Sequence, residues 1–279
     1  MGNTIQHTKW LGKESYHYEL IDSTNRKAKE LVAEGCTHGT LVTADAQNAG
    51  VGRRGRSWSS EPGSGIYMTM VLKPMDLAVD KASMLTLVAA VAVAKAIAKF
   101  TEGKNLLPQI KWPNDIVLRG KKVCGILTEL VLQGQQMDGI IVGIGINVHN
   151  TCFPEELAQT ATSIEWELKQ TSDVTKCSDD EMRTEKKVTR EELLELVLRE
   201  FEAQYELFMQ TQDLSQIAEA YQQMSANIGR EVTVLDPQGA YDGIARGITN
   251  TGELIVETGA QTKWVSAGEV SVRGIYGYV

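Results

Sequence analysis

Cysteine is scarce in this chain of 279 residues, and none of the four forms a C-x-x-C pair. Cys36, Cys124, Cys152 and Cys177 also lack zinc-like spacing with the four histidines. A disulfide scaffold and a structural zinc site are therefore not indicated, and free thiols in a reducing compartment are expected. The first ten residues have no apolar core of a signal peptide, and Gln6 stands where a myristoylation signal needs Ser or Thr. The longest apolar run, 84–98, is broken by Thr86 and Lys95 and is too short to cross a bilayer. A soluble, cytoplasmic chain without membrane contact is expected. Basic residues are the minority, 28 Lys and Arg against 36 Asp and Glu, for a net charge of −8. A protein that lives on phosphate backbones usually carries a basic footprint, so any anion site here must be local. Internal repeats and low-complexity tracts are absent as well.

What the chain does have is an ordinary globular composition, 42% hydrophobic and 23% charged, enough for a core without covalent support. Its length allows one large domain, or one large and one small. A strand at 18–21 leads into Asp22-Ser23-Thr24-Asn25, an N-cap signal for a helix over 23–34 that Gly35 closes. Strands follow at 39–45 and 65–72. The stretch 82–100 places Leu85, Val88, Val91, Ala92 and Ala96 on one face, the pattern of a buried helix. Strands at 109–113, 115–118, 122–132 and 138–148 are separated by short turns at Gly120 and Gly134, so antiparallel pairing is predicted. The fold class is thus α+β around a mixed or antiparallel sheet flanked by helices, not repeated β-α-β units.

Residues 170–189 are polar and aperiodic and read as a loop or irregular insertion. Helices are predicted at 190–209 and 214–224. From Gly229 the texture changes to five short strands, 231–235, 240–248, 253–257, 261–265 and 269–273, with turns at Asp236-Pro237, Asn250-Thr251-Gly252 and Gly259. That size and pattern suggest a small SH3-like β-barrel. The domains are drawn as 1–226 and 227–279.

One loop stands out: Ala49-Gly50-Val51-Gly52-Arg53-Arg54-Gly55-Arg56-Ser57-Trp58. Its glycines match G-x-G-x-x-G, but a dinucleotide fingerprint needs a following helix, and here a strand follows. A phosphate-binding P-loop is excluded because no Gly-Lys-Ser/Thr occurs. A nucleic-acid patch would suit Arg53, Arg54, Arg56 and Trp58, yet the acidic total and the lack of a second basic cluster oppose it. A solvated hairpin loop remains open, though it leaves three interleaved glycines unexplained. The fourth reading is a flexible loop that closes over a small anion: glycines let backbone approach, and guanidinium forks bind carboxylate or phosphate.

Further along come Lys111-Trp112-Pro113-Asn114-Asp115, Lys122 to Leu127 (KVCGIL), and Gly143-Ile144-Gly145-Ile146-Asn147. Each alone is ordinary. With Asp22-Ser23-Thr24-Asn25 and the span from Gln47 to Trp58, in this order, they resemble the biotin protein ligases. The resemblance extends over almost the entire chain. It implies a class II synthetase-like catalytic domain with an SH3-like domain after it. It also implies two-step chemistry: biotin and ATP, with Mg²⁺, give biotinyl-5′-AMP, and a lysine of a biotin carboxyl carrier domain, such as that of acetyl-CoA carboxylase, then takes the acyl group.

Carried over by position, Ser23, Thr24, Asn25 and Gln47 would contact the biotin head group. Gly52, Gly125, Leu127, Gly143 and Gly145 would line its slot. Arg53 and Lys122 would lie nearest the biotin carboxylate and the α-phosphate, and with Lys111 would be the catalytic cations. Arg56, Trp58, Lys111, Asn114 and Asn147 would serve the ATP side, with Arg246 a weaker candidate for nucleotide or carrier contact. No dedicated protein metal site is expected beyond Mg²⁺ with ATP.

Two departures from the family pattern are visible. Many relatives read G-R-G-R-R-G-R in the loop, whereas Val51 removes one cation here. Many bacterial relatives begin with a winged helix, whereas about 17 residues precede Tyr18, so no DNA binding or repressor role is expected. A lipoate or octanoate ligase of the same fold and a non-catalytic biotin-binding regulator are the competing readings. The quaternary state, monomer or homodimer, stays open.

Overall fold

The computed structural model describes residues 7–134, 136–172, 189–236, 239–259, 261–267 and 271–274. In chain order the elements are β1 (Ser15–Tyr18), α1 (Thr24–Ala33), β2 (Leu41–Ala44), β3 (Gly65–Leu72), α2 (Leu85–Phe100), β4 (Pro108–Lys111), β5 (Asp115–Leu118), β6 (Lys121–Gln133) and β7 (Gln136–Asn147). Then come α3 (Ile164–Ser172), α4 (Arg190–Thr211), α5 (Ala218–Met224), β8 (Glu231–Asp236), β9 (Gly239–Ile248), β10 (Leu254–Glu257), β11 (Thr262–Val265) and β12 (Ser271–Gly274).

The first seven strands form one sheet in the order β1-β2-β3-β7-β6-β5-β4. Only β1 and β2 are parallel, so the sheet is mixed. Strand alternation sorts its two faces. Ile66, Met68, Met70 and Leu72 of β3 point one way with Ile140, Val142, Ile144 and Ile146 of β7, into the main core. Val71 and Ile141 point the other way and pack with Ala28, Leu31 and Val32 of α1.

Helix α2 lies between the sheet and α4 and is buried almost all round, which is why its sequence is apolar on every face. The 22 residues Val79–Phe100 are long and apolar enough to cross a membrane by composition, yet most are packed inside this core. Helix α4 anchors the start of the described chain. Glu202 accepts the backbone N–H groups of Trp10 and Leu11 at 2.8 and 2.7 Å through Oε1, and that of Lys9 at 2.9 Å through Oε2.

The second sheet is antiparallel throughout, ordered β11-β10-β9-β8-β12. It docks on the first through Trp112, a buried residue whose Nε1–H reaches Gly252 O at 3.0 Å. The Trp112 backbone N–H donates to Asn227 Oδ1 at 2.7 Å, and Ala226 N–H to Ile110 O at 2.8 Å.

Several boundaries differ from those predicted. The first strand ends at Tyr18, and Ile21 makes only an isolated parallel bridge to Gln47. The helix expected from residue 82 begins as a 3₁₀ turn, Val79–Met84, before α2. The helix expected from 214 starts at Ala218. Asp213 takes the Ser215 N–H and hydroxyl, and the Leu214 N–H goes to Asn250 O, so the backbone there is otherwise engaged. Residues 170–172 belong to α3, which was not foreseen; 173–188 of the 170–189 insertion lie outside the described residues, and Thr189 is the N-cap of α4. Cys177 lies there too.

Candidate active site

Register places the glycines. Gly145 of β7 lies opposite Tyr67 of β3 and Gly125 of β6, and Gly143 lies opposite Thr69 and Leu127. All six sit on the α1 face, so where a sheet would normally offer side chains it offers bare backbone: a shallow slot. Side chains from elsewhere fill the space. A Cβ on Gly143 would stand 2.0 Å from Asn25 Oδ1. On Gly145 it would stand 2.4 Å from the Trp58 indole, and on Gly125 2.9 Å from the same ring.

At one end of this slot the polar residues bond to each other. Gln47 Oε1 accepts the Thr24 N–H at 2.8 Å and its hydroxyl at 3.2 Å, while Gln47 Nε2 donates to Ser60 Oγ at 2.8 Å. Asn25 Nδ2 donates to Glu129 Oε2 at 2.8 Å, and Asn25 Oδ1 accepts from the Thr69 hydroxyl at 2.7 Å. Ser23, Thr24 and Asn25 are buried where α1 begins. Ser23 has the extended backbone of an N-cap but makes no side-chain cap bond, so it does not serve the helix in the usual way.

At the other end stands the arginine loop. Gly50 is fixed by crowding, since a Cβ there would lie 2.6 Å from the Trp58 carbonyl. Arg53 to Gly55 make a 3₁₀ turn in which Arg54 adopts the left-handed region, φ 59°. Arg54 and Arg56 are exposed. Arg53 is half-buried: its Nη1 donates to Asn114 Oδ1 at 2.8 Å and its Nη2 to the Ala267 carbonyl of the second sheet's domain. Burial lowers its pKa, and the nearby Asp115 carboxylate works in the opposite direction. Trp58 extends from this loop into the slot, its buried Nε1–H without a hydrogen-bond partner among the described residues.

Lys122, the second residue of β6, has its Nζ 2.7 Å from Asp115 Oδ1 and 5.3 Å from the centre of the Trp58 ring. Cys124 beside it faces the core, and burial pushes its thiol pKa far above the usual range, so it is no nucleophile. Asn114 Nδ2 donates to Ile126 O, and Asn147 Nδ2 to Thr162 O, each at 3.0 Å, so both amides are held.

Two cavities adjoin. The larger, about 680 Å³, is lined by Arg54, Arg56, Lys111 and Asn147 together with Asn150, Phe153 and Leu157. The smaller, about 40 Å³, is the slot itself, lined by Ser23, Thr24, Asn25, Gln47, Gly125, Leu127, Gly143 and Gly145. Gly52, Arg53, Trp58, Asn114 and Lys122 line both.

Of the residues singled out from sequence, all but Arg246 therefore meet in one cleft. Trp58, expected on the nucleotide side, borders both cavities and lays its ring across the slot glycines. Arg246 lines neither; its guanidinium pairs with Glu257 on the outer surface of the second sheet, because both side chains project from neighbouring strands there. Sequence reading missed Thr69, Glu129, Asp115 as the partner of Lys122, and the 150–161 wall. A signal existed for two of them. Thr69 is the one threonine amid the apolar centre of β3, and Glu129 falls in phase with Gly125 and Leu127.

Comparison with known proteins agrees with this geometry. Residues 17–147 match the biotin/lipoate A/B protein ligase family, and 228–273 match the biotin protein ligase C-terminal domain. The bifunctional ligase/repressor BirA of Bacillus subtilis is 33% identical over 267 residues, covering 95% of this chain and 76% of that protein. The biotin–[acetyl-CoA-carboxylase] ligase of Paracoccus denitrificans is 32% identical over 256 residues, 91% of this chain and 98% of its own. Among solved structures, the Aquifex aeolicus biotin protein ligase in complex with biotin and ATP superposes with a TM-score of 0.75 at 29% identity, covering 94% of this chain and 99% of that one. With both domains matched and the motif residues gathered in one cleft, the chain belongs to the biotin protein ligase family.

Proposed function

We propose that this chain activates biotin with ATP as biotinyl-5′-AMP and transfers the biotinyl group to a lysine of a biotin carboxyl carrier domain. The observation that carries this reading is the shared rim of the two cavities, where Arg53, Asn114 and Lys122 line both. An acid lying in the slot with its carboxylate outward would meet there the α-phosphate of a nucleotide in the larger cavity.

In the first step a carboxylate oxygen bonds to the α-phosphorus, and the bond from that phosphorus to the bridging oxygen breaks. Pyrophosphate leaves with the electron pair. Two anions must approach, so cations fixed in advance at the junction lower the barrier most. Arg53 and Lys122 are assigned to the carboxylate and α-phosphate, Lys111 to the phosphoryl charge, and Arg56, Asn114 and Asn147 to the rest of the nucleotide. In the second step the carrier lysine nitrogen attacks the carbonyl carbon, a C–N bond forms, and the C–O bond to AMP breaks. The spare proton goes to solvent. Water would compete in that step, and the 50–58 loop covers the junction.

Among the described residues no three His, Cys, Asp or Glu gather into a metal cage. Magnesium, a hard cation satisfied by few protein oxygens and by phosphates, fits this cleft as a companion of ATP that would neutralise phosphate charge, with Asn114, Asp115 and Asn147 as the oxygens at hand. The head-group end is assigned to Ser23, Thr24, Asn25 and Gln47, and the slot floor to Gly125, Leu127, Gly143 and Gly145. At about 40 Å³ the slot is well under the roughly 300 Å³ of a small ligand pocket, because the Trp58 indole fills it. Admission of biotin therefore requires Trp58 and its glycine-flanked loop to move aside. We divide the chain into a ligase domain, 1–226, and an SH3-like domain, 227–279. The need for ATP and a carrier puts this activity in the cytoplasm.

Incubation of the purified chain with ATP and an acetyl-CoA carboxylase carrier domain, with biotin, lipoate or octanoate in parallel, tests the reading by mass. A biotinyl gain from biotin alone is expected. Lipoyl or octanoyl addition would replace biotin as the substrate, and failure to release pyrophosphate with biotin and ATP would point to a non-catalytic binder.

A further inference from the structure

We infer that Glu129 is a positioning residue for the ring end of the acid, acting through Asn25. The inference rests on the reading of the slot as the biotin site. Glu129 lines neither cavity, yet its two oxygens are separately engaged: Oε2 accepts Asn25 Nδ2–H at 2.8 Å and Oε1 accepts from Lys29 Nζ at 2.7 Å. An amide side chain can turn over and exchange its nitrogen for its oxygen, with almost the same shape. A carboxylate forbids that exchange, because it only accepts. With Nδ2 committed to Glu129, Asn25 Oδ1 must face the other way, toward the Thr69 hydroxyl at 2.7 Å and against the bare Cα of Gly143.

The effect spreads along the chain of contacts. The Thr69 hydroxyl has one proton and two acceptors within reach, Asn25 Oδ1 and, at 2.9 Å, Thr24 Oγ1. The Thr24 hydroxyl in turn reaches Gln47 Oε1 at 3.2 Å, and Gln47 is pinned the same way round by the Thr24 backbone N–H. The two amides at the ring end of the slot, Asn25 and Gln47, thus present a single, defined order of donors and acceptors. A cyclic urea offers two N–H donors and one carbonyl acceptor, so it is sensitive to that order, whereas the nucleotide at the far end is not. Lys29 holds the distal oxygen of Glu129 but does not itself set the direction of any bond in the slot.

The test is steady-state kinetics of pyrophosphate release with six variants, each checked by thermal melting. Glu129→Ala should raise KM for biotin about tenfold, the low end for losing a hydrogen bond to a charged group, with kcat and KM for ATP within about twofold. Glu129→Met fills more of the same space and serves for the same comparison if alanine unfolds the chain. Glu129→Gln, whose carbonyl can still accept the Asn25 N–H, should stay within about threefold of the parent, and Lys29→Met should leave KM for biotin unchanged. In an Asn25→Ala background Glu129→Ala should add nothing. A normal biotin KM in Glu129→Ala, or the full tenfold repeated without Asn25, overturns the inference. A parent chain that releases no pyrophosphate with biotin and ATP overturns the functional reading instead.

Discussion

At the ring end of the slot, Thr24, Asn25, Gln47, Thr69 and Glu129 satisfy one another across α1, β3, β6 and the segment after β2, and three of them are buried. At the loop end, Arg54 on a 3₁₀ turn and Arg56 just after it stand exposed, and Arg53 bridges to Asn114 and Ala267. The first is a mould, its donors and acceptors fixed by one another and mostly by regular elements before any ligand arrives. The second is a set of charges on a backbone whose glycines let it change shape. The difference follows the chemistry. A neutral ring is distinguished by directional hydrogen bonds, which need rigidity. A developing negative charge is stabilised at longer range, and it must also be covered and released, which needs a movable loop.

The largest expected effect falls at the junction. Lys122→Ala should lower the rate of biotinyl-5′-AMP formation on the order of 10²–10³-fold, the usual cost of removing one charge-stabilising donor. Because Asp115 loses its ion pair with Lys122, the fold is checked with Lys122→Met combined with Asp115→Asn, which should melt near the parent and remain inactive. Near-normal pyrophosphate release in either variant would take Lys122 out of the chemistry. Next in size is the mould. Gly143→Ala puts a methyl 2.0 Å from the position of Asn25 Oδ1, and Asn25 is tied on both sides. Overpacking of that kind costs about 1–3 kcal/mol, so titration calorimetry should find biotin binding weakened roughly 10–100-fold and ATP binding unaffected. Equal weakening of both would erase the division between the two ends.

Local signals carried much of this layout. The strand over 65–72 and the β6–β7 hairpin were legible because period-two alternation and short glycine turns are decided within a few residues. The glycine pairs were legible as motifs, but not as a floor, since that depends on register: Gly145 matters because Gly125 and Tyr67 lie opposite. The same limit hid Glu129, 104 residues from Asn25 in sequence and 2.8 Å from it in space. It also hid the second contact of Trp58, whose place in the loop suggested the nucleotide and whose ring borders the larger cavity but also reaches over the slot glycines. Helix α3 carries no strong apolar stripe and is polar on most of its surface, so periodicity could not separate it from the polar stretch that follows.

Arg53 ties the loop to both domains, and its variants sharpen the contrast at an intermediate level. Arg53→Lys keeps the charge but cannot hold Asn114 Oδ1 and the Ala267 carbonyl together with one fork. A fall in kcat of about tenfold is expected in pyrophosphate exchange, with KM for biotin changed less than by Gly143→Ala. The reverse ranking would mean that the loop, not the sheet, reads the acid.

The smallest expected effect lies at Val51, an uncharged position amid the loop arginines. Val51 is 44% exposed, borders the slot, and pairs with Ser57 across the turn that holds the arginines. Val51→Arg would therefore add a charge close to the junction without disturbing buried packing. A single solvated cation contributes about 0.2–1 kcal/mol to an ionic contact, so escape of biotinyl-5′-AMP should slow about two- to threefold. That rate is read in single turnover by separating free from bound adenylate, with no carrier present. The gain should shrink as salt rises, because an exposed charge is screened over roughly 10 Å at 0.1 M ionic strength. A salt-independent change of the same size would mean that the new side chain acts by packing, and that the loop end is more of a mould than its exposed arginines suggest.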